Sequence, residues 1–272
     1  MSKLSILFGL CLAFSATAWC QGEDSPVSNY QTYTSGAPST VCVYQFSSGS
    51  GRTFTQYCLT ENGNIVQFSN PGNIQFFSTA NATSGVSEGY GLCDFNAPEP
   101  YFDYASNSRG WGATVVTRSN DKTMRFVRKT QDGQWELTQT LTQVDASPTS
   151  PGSVKVVMKL RNLSGEERNV VLVRHANVNV NRTNTDDRFY ATRNFAYGAD
   201  PGLSFGLGLT TNTFDFNSGG LTQNVPFGPN PCAVTENANF DQFAGDGSIG
   251  MVYSMTVPAG TSQTVQMTYK PL

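Results

Sequence analysis

His175 is the single histidine of this 272-residue chain, so a Ser-His-Asp or Cys-His catalytic device would have to be built on it. No G-x-S-x-G elbow accompanies it. With one histidine and no C-x-x-C pair, a tetrahedral zinc site cannot be assembled. The simpler role for His175 is structural, hydrogen-bonded on a strand. Asn181, Asn184, Asp186 and Asp187 place four side-chain oxygens within seven residues, the hard donors that calcium takes. The D-x-D-x-D-G order is missing, and a solvated loop uses the same residues. Calcium is therefore the one cofactor the sequence suggests.

Carboxylates for glycoside hydrolysis could come from Glu88, Glu99, Asp103, Asp186, Asp187 or Asp241, but no motif selects two of them. Tyr90, Tyr101, Phe102, Tyr104 and Trp111 stand among Glu88 and Asp103 in a stretch, residues 78–112, that reads as loop-rich. Aromatic faces beside polar groups suit sugar rings or a partner protein. Equally, these rings could seal the open end of a sandwich.

The element that must position His175 is the run NVVLVRHANVNV from residue 169. Alternation puts Val170, Leu172, Arg174, Ala176 and Val178 in one row, and Val171, Val173, His175, Asn177 and Asn179 in the other. The second row turns polar halfway, so that face leaves the core or lines a cleft that runs into the acidic loop. Arg174 interrupts the apolar row and needs a carboxylate, for which Asp187 or Asp215 is expected.

Around this strand the pattern is all-β. Period-2 runs recur at ATVVTR, TMRFVRKT, QWELTQTLTQV, SVKVVMKLRNL, LSFGLGLT, SIGMVYSMTV and TVQMTYKPL, separated by Gly, Pro, Asn and Asp turns. No helical period of useful length, repeat or linker appears. The architecture expected is one large antiparallel β-sandwich, supersandwich-like in strand number and disulfide-braced, over residues 41–272, after a lead-in at 19–40.

Residues 1–18 carry the marks of a signal peptide: Lys3, an apolar run, then Ala16-Thr17-Ala18. Its removal takes the net charge from −3 to about −4. The basic residues are scattered along the sequence, which argues against nucleic acid and anionic membranes as partners. No later run is long enough to span a membrane as a helix. The location implied is secreted, extracellular or periplasmic. There the cysteines pair: folding VCVYQF on FTQYCL about Ser50 sets Phe46 opposite Phe54 and Cys42 opposite Cys58, a loop of about 15 residues contributing ~3 kcal/mol. Cys93 with Cys232 follows by elimination.

NGNIVQFSNPG (62–72), SEGYGLCDF (87–95), KTQDGQWELTQTLTQ (129–143) and VKVVMKLRNLSGEERNVVLVRHANVNV (154–180) resemble a set of exported bacterial proteins of unknown function. In that set the strand matching 170–180 tends to carry aspartates where this chain has Asn177 and Asn179. The resemblance implies a secreted β-sandwich and nothing catalytic. The functional expectation is a non-enzymatic module that binds a polysaccharide or a surface protein through loops, at 88–111 and from His175 to Asp187. The rivals are an extracellular carbohydrate-active enzyme with a carboxylate pair and a purely structural envelope or matrix protein.

Overall fold

The computed structural model of the chain describes residues 31–33, 37–70, 75–78, 88–180, 186–202, 205–213, 217–223, 230–233 and 243–272. In chain order the strands are β1 (Gln31–Tyr33), β2 (Tyr44–Ser48), β3 (Thr55–Leu59), β4 (Ile65–Ser69), β5 (Gln75–Ser78), β6 (Glu88–Asp94) and β7 (Tyr101–Asp103). They continue with β8 (Ser108–Arg109), β9 (Trp111–Asn120), β10 (Thr123–Thr130), β11 (Trp135–Val144), β12 (Ser153–Asn162), β13 (Arg168–Val178) and β14 (Arg188–Thr192). The last six are β15 (Phe195–Asp200), β16 (Phe205–Thr211), β17 (Asn217–Gln223), β18 (Phe243–Ala244), β19 (Gly247–Val257) and β20 (Ser262–Pro271).

They form a ten-stranded sheet, β1-β9-β10-β11-β12-β20-β16-β15-β14-β18, a six-stranded sheet, β17-β19-β13-β6-β7-β8, and a four-stranded sheet, β2-β3-β4-β5. The paired registers are antiparallel throughout. The all-β sandwich expected from the pattern is the observed fold. Residues 31–33, within the lead-in, add an edge strand to the largest sheet.

One apolar core lies between the sheets. β10 to β12 and β20 send in Met124, Phe126, Leu137, Leu141, Val154, Val156, Met158, Leu160, Val265 and Met267, as their alternation requires. From the facing sheet come Val170, Leu172, Ala176, Ile249, Met251 and Tyr253. The second row of β13 is buried as well. Val171 and Val173 join Cys93, Phe102, Tyr104, Leu221 and Val252 in a smaller cluster, roofed by the short turn Pro231–Ala233 that carries Cys232. At Gly91 an added Cβ would stand 2.6 Å from the Tyr104 hydroxyl and 2.7 Å from Pro231, so only glycine lets the roof sit this close.

Both disulfides form as expected, Cys42–Cys58 and Cys93–Cys232. The first hairpin has another register, with Tyr44 facing Leu59, Gln45 facing Cys58 and Phe46 facing Tyr57. A 3-10 turn at Gly51–Thr53 enlarges the connection and takes Phe54 out of the ladder. Cys42 lies before β2, yet its Cα stands 5.5 Å from that of Cys58.

Candidate functional site

The residues between 88 and 111 that were expected on loops form the strands β6, β7 and β8 and the start of β9. Glu88, Tyr90, Asp103 and Tyr104 are fully buried, and Tyr101 and Trp111 are nearly so. They serve as core, which corrects the surface reading. Glu88 accepts from Arg174 Nε at 2.6 Å, from the Tyr269 hydroxyl at 2.8 Å and from the Ile65 amide at 2.6 Å. Arg174 also donates to Gln139 at 2.5 Å and to the carbonyl of Gly63 at 3.2 Å. Its partner is therefore Glu88 and not Asp187, while Asp215 lies outside the described residues. Asp103 accepts from Arg128 and from Asn64, and Arg128 also donates to the Tyr90 hydroxyl at 3.0 Å.

Burial pushes both carboxyls above their ordinary range, while the arginines beside them favour the ionised form. Since arginine keeps its charge, each carboxyl is the counter-ion of a buried guanidinium. Both are fully buried. Trp111 packs against Tyr90 and Tyr101, and Tyr104 stacks on Phe102.

His175 lies under the roof, edge-on to Tyr104 at 4.7 Å between ring centroids. Burial, then the neighbouring Arg174 charge, lowers its pKa to about 3, so it is neutral at physiological pH and lines no cleft. Asn177 is 8% exposed and only Asn179, past the end of β13, is half-buried. The polar ladder is thus buried at His175 and Asn177 and becomes half-buried only at Asn179.

Of the loop weighed for calcium, Asn181 and Asn184 lie outside the described residues, Asp186 is exposed and Asp187 is buried. Among the described residues no three His, Cys, Asp or Glu side chains gather as a metal group would. Asp187 Oδ2 accepts the Val180 amide at 2.9 Å, and Oδ1 has no hydrogen-bond partner among the described residues. Burial raises the Asp187 pKa to about 7, with Val180 opposing and Asp200, Asp246 and Asp186 adding to the rise. A folded pKa above the unfolded 3.8 means that the native state holds the proton more tightly between pH 4 and 7, so ionisation at higher pH destabilises it. Asp187→Asn is therefore expected to melt above the wild type at pH 8, with the advantage shrinking towards pH 5. A melting-temperature difference that stays constant with pH would contradict this account.

The open surface is the outer face of the ten-stranded sheet. Alternation in β14 and β15 sends Phe189, Ala191 and Ala196 into the core and Tyr190, Phe195 and Tyr197 outward. Tyr190 pairs with Tyr197 across the strands, their centroids 5.9 Å apart, and Phe195 follows at 5.4 Å from Tyr197. Phe195 lies over Gly208, where a Cβ would meet its ring at 2.8 Å. The three rings make a strip on the solvent side, with Tyr190 38% exposed. The sequence shows Phe189, Tyr190, Phe195 and Tyr197 as an aromatic strand pattern but not the site, because rings stand on both faces, Phe189 inside with Ala191 and Ala196 and the other three outside. The pairing of Ala191 and Ala196 with large neighbours was the available signal. At another edge a cleft of about 450 Å³ is lined by Val43, Tyr44, Gln45, Phe46, Arg118 and Met124. It offers one charged group, Arg118, which donates to the carbonyls of Asn120 and Asp121.

No protein-family model matches the sequence, and no curated protein sequence does. Among solved structures, a bacterial glucoamylase complexed with acarbose aligns over 91% of this chain and 34% of its own, at a TM-score of 0.58 and 12% identity. A polysaccharide lyase aligns over 82% of this chain and 33% of its own, at a TM-score of 0.50 and 11% identity. A putative aldose 1-epimerase from Escherichia coli K12 aligns over 84% and 98%, at 0.48 and 10%. The chain spans a third of the length of the glucoamylase and the lyase. At such identities the likeness is one of fold alone.

Proposed function

We propose that this protein is a secreted, non-enzymatic β-sandwich that binds a polysaccharide on the outer face of its ten-stranded sheet. The observation that carries the reading is the strip Tyr190, Tyr197 and Phe195. Core-directed rings are ordinary in a sandwich, whereas three adjacent rings on a solvent face are not required for folding and fit the faces of sugar units. The fold likeness to glucoamylase and lyase domains is in keeping with it. So is the commitment of Glu88 and Asp103 to Arg174 and Arg128, which removes the most central carboxylates from any hydrolytic role. Two disulfides, together with the signal-peptide pattern of residues 1–18, support an extracellular place of action.

The test is a glycan array with the purified mature protein, followed by titration of Tyr190→Ala and Tyr197→Ala. Each substitution is expected to weaken binding roughly tenfold, the scale of one lost ring–sugar contact, with melting temperature little changed. Wild-type protein that binds no glycan, or alanine variants that bind as well as the wild type, would sink the proposal. Repeating the array in EDTA asks whether a bound cation contributes.

A further inference from the structure

The cations that look scattered in the sequence are gathered by strand register onto one surface. Arg125 and Lys129 on β10, Lys155, Lys159 and Arg161 on β12, Lys270 on β20 and Arg188 on β14 all alternate with core residues and point away from the core. Seven of the 17 Lys and Arg of an acidic chain therefore share a face. Within its strands the described carboxylate is Glu136, which lies 3.8 Å from Lys129 and is registered between Lys129 and Arg161, and Asp186 is exposed two residues before Arg188 at the margin. Among the described residues, no acidic group lies within salt-bridge distance of Arg125, Lys155, Lys159, Arg161, Arg188 or Lys270.

Sheet architecture does not ask for this. Lysine guards exposed edges against pairing, yet β10, β12 and β20 are interior strands. Lysine is disfavoured in strands, and like charges crowded on one face repel. On β12 the charges stand two and four residues apart, about 7 and 13 Å, and β10 lies two strands away, roughly 10 Å. Between them run hydroxyls and an amide in register, Thr140 and Gln266 beside Arg125 and Val157, Thr138 and Thr264 beside Lys159. The field joins the aromatic strip without a break. One row passes from Lys155 through Thr268 and Thr210 to Phe195, and the next from Lys270 through Gly208 to Tyr197 and Tyr190.

Resting on the polysaccharide reading, we infer that the ligand is a polyanionic chain, bearing uronate carboxylates or sulfate esters, whose sugar faces lie on the aromatic strip while its acid groups lie on the cations of β10, β12 and β20. Charge complementarity commits the site to this class: an array of exposed cations that outnumbers its carboxylates attracts anions at long range and holds them in a salt-dependent way.

Binding would be measured for polygalacturonate, heparin, neutral dextran and a DNA duplex at rising NaCl. For the wild type, tight binding of the carboxylated or the sulfated polymer at low salt is expected, with affinity falling at least tenfold between 50 and about 300 mM NaCl as screening sets in. The double variant Lys159→Gln/Arg161→Gln should lose tenfold or more and show a shallower salt dependence, with an unaltered melt. Lys122→Gln, away from this face, should do neither. Tyr197→Ala should lose affinity while keeping the salt dependence, which separates the strip from the field. Dextran bound as well as the polyanions, with the cation variant unaffected, would overturn the inference and leave the polysaccharide reading standing. DNA outcompeting both polyanions at equal salt would overturn it in favour of nucleic acid, and absence of binding to any glycan would sink both readings.

Discussion

Arg174→Ala is expected to lower the stability of this protein by about 3–5 kcal/mol, the cost of breaking a buried ion pair from one side. The guanidinium is wholly enclosed and satisfies acceptors on three other segments, Glu88 on β6, Gln139 on β11 and the Gly63 carbonyl in the turn before β4. Its removal leaves the Glu88 carboxyl with only the Ile65 amide and the Tyr269 hydroxyl, in a site where burial already pushes its pKa up. For a chain of this size the loss corresponds to roughly 6–20 °C in melting temperature. Pairing Arg174→Met with Glu88→Gln removes both charges and should recover most of it, because desolvation is no longer opposed by a missing partner. Thermal and urea melts of the two variants against the wild type decide the matter. A single variant that melts with the wild type would mean that the pair does not hold the sheets together.

Removing the long disulfide is expected to cost at least as much. Cys93 and Cys232 are 139 residues apart, so the bond restricts the unfolded chain far more than Cys42–Cys58, separated by 16. Chain entropy puts the two at about 5 and 3 kcal/mol. The long bond also fastens the Pro231–Ala233 roof over Val171, Val173 and Tyr104, so Cys93→Ala/Cys232→Ala should expose the outer side of β13 in addition to lowering the urea midpoint. Deuterium uptake along β6 and β13 would report this. Equal midpoint shifts for the two disulfide knockouts, with unchanged uptake, would refute the ranking.

What the sequence made legible was whatever alternates. β9 to β12, β19 and β20 have one face in the core and one in solvent, and their period-2 pattern placed them. β6 and β7 were taken for loops because both their faces are buried. Their polar residues, Glu88, Asp94 and Asp103, are bonded inside, and Gly89 and Gly91 are glycine because backbone and roof approach closely. The partners of Arg174 and Arg128 lie 86 and 25 residues away, and only the register of three sheets brings them together. The same holds for the basic face: Lys159 and Arg125 are unrelated in the sequence and become neighbours through Thr138 and Thr140. A site made by register is invisible to any reading that walks along one strand at a time.

β20 has a consequence for the timing of folding. It lies in the middle of the ten-stranded sheet, between β12 and β16, so the meander β9 to β12 ends in an open edge until residues 262–271 have been synthesised. The two halves of that sheet cannot join before then, and Val265, Met267 and Tyr269 are missing from the core. The growing chain therefore passes most of its synthesis as an unsealed ribbon. Such a nascent chain needs protection of the β12 edge from other chains until its own closing strand arrives.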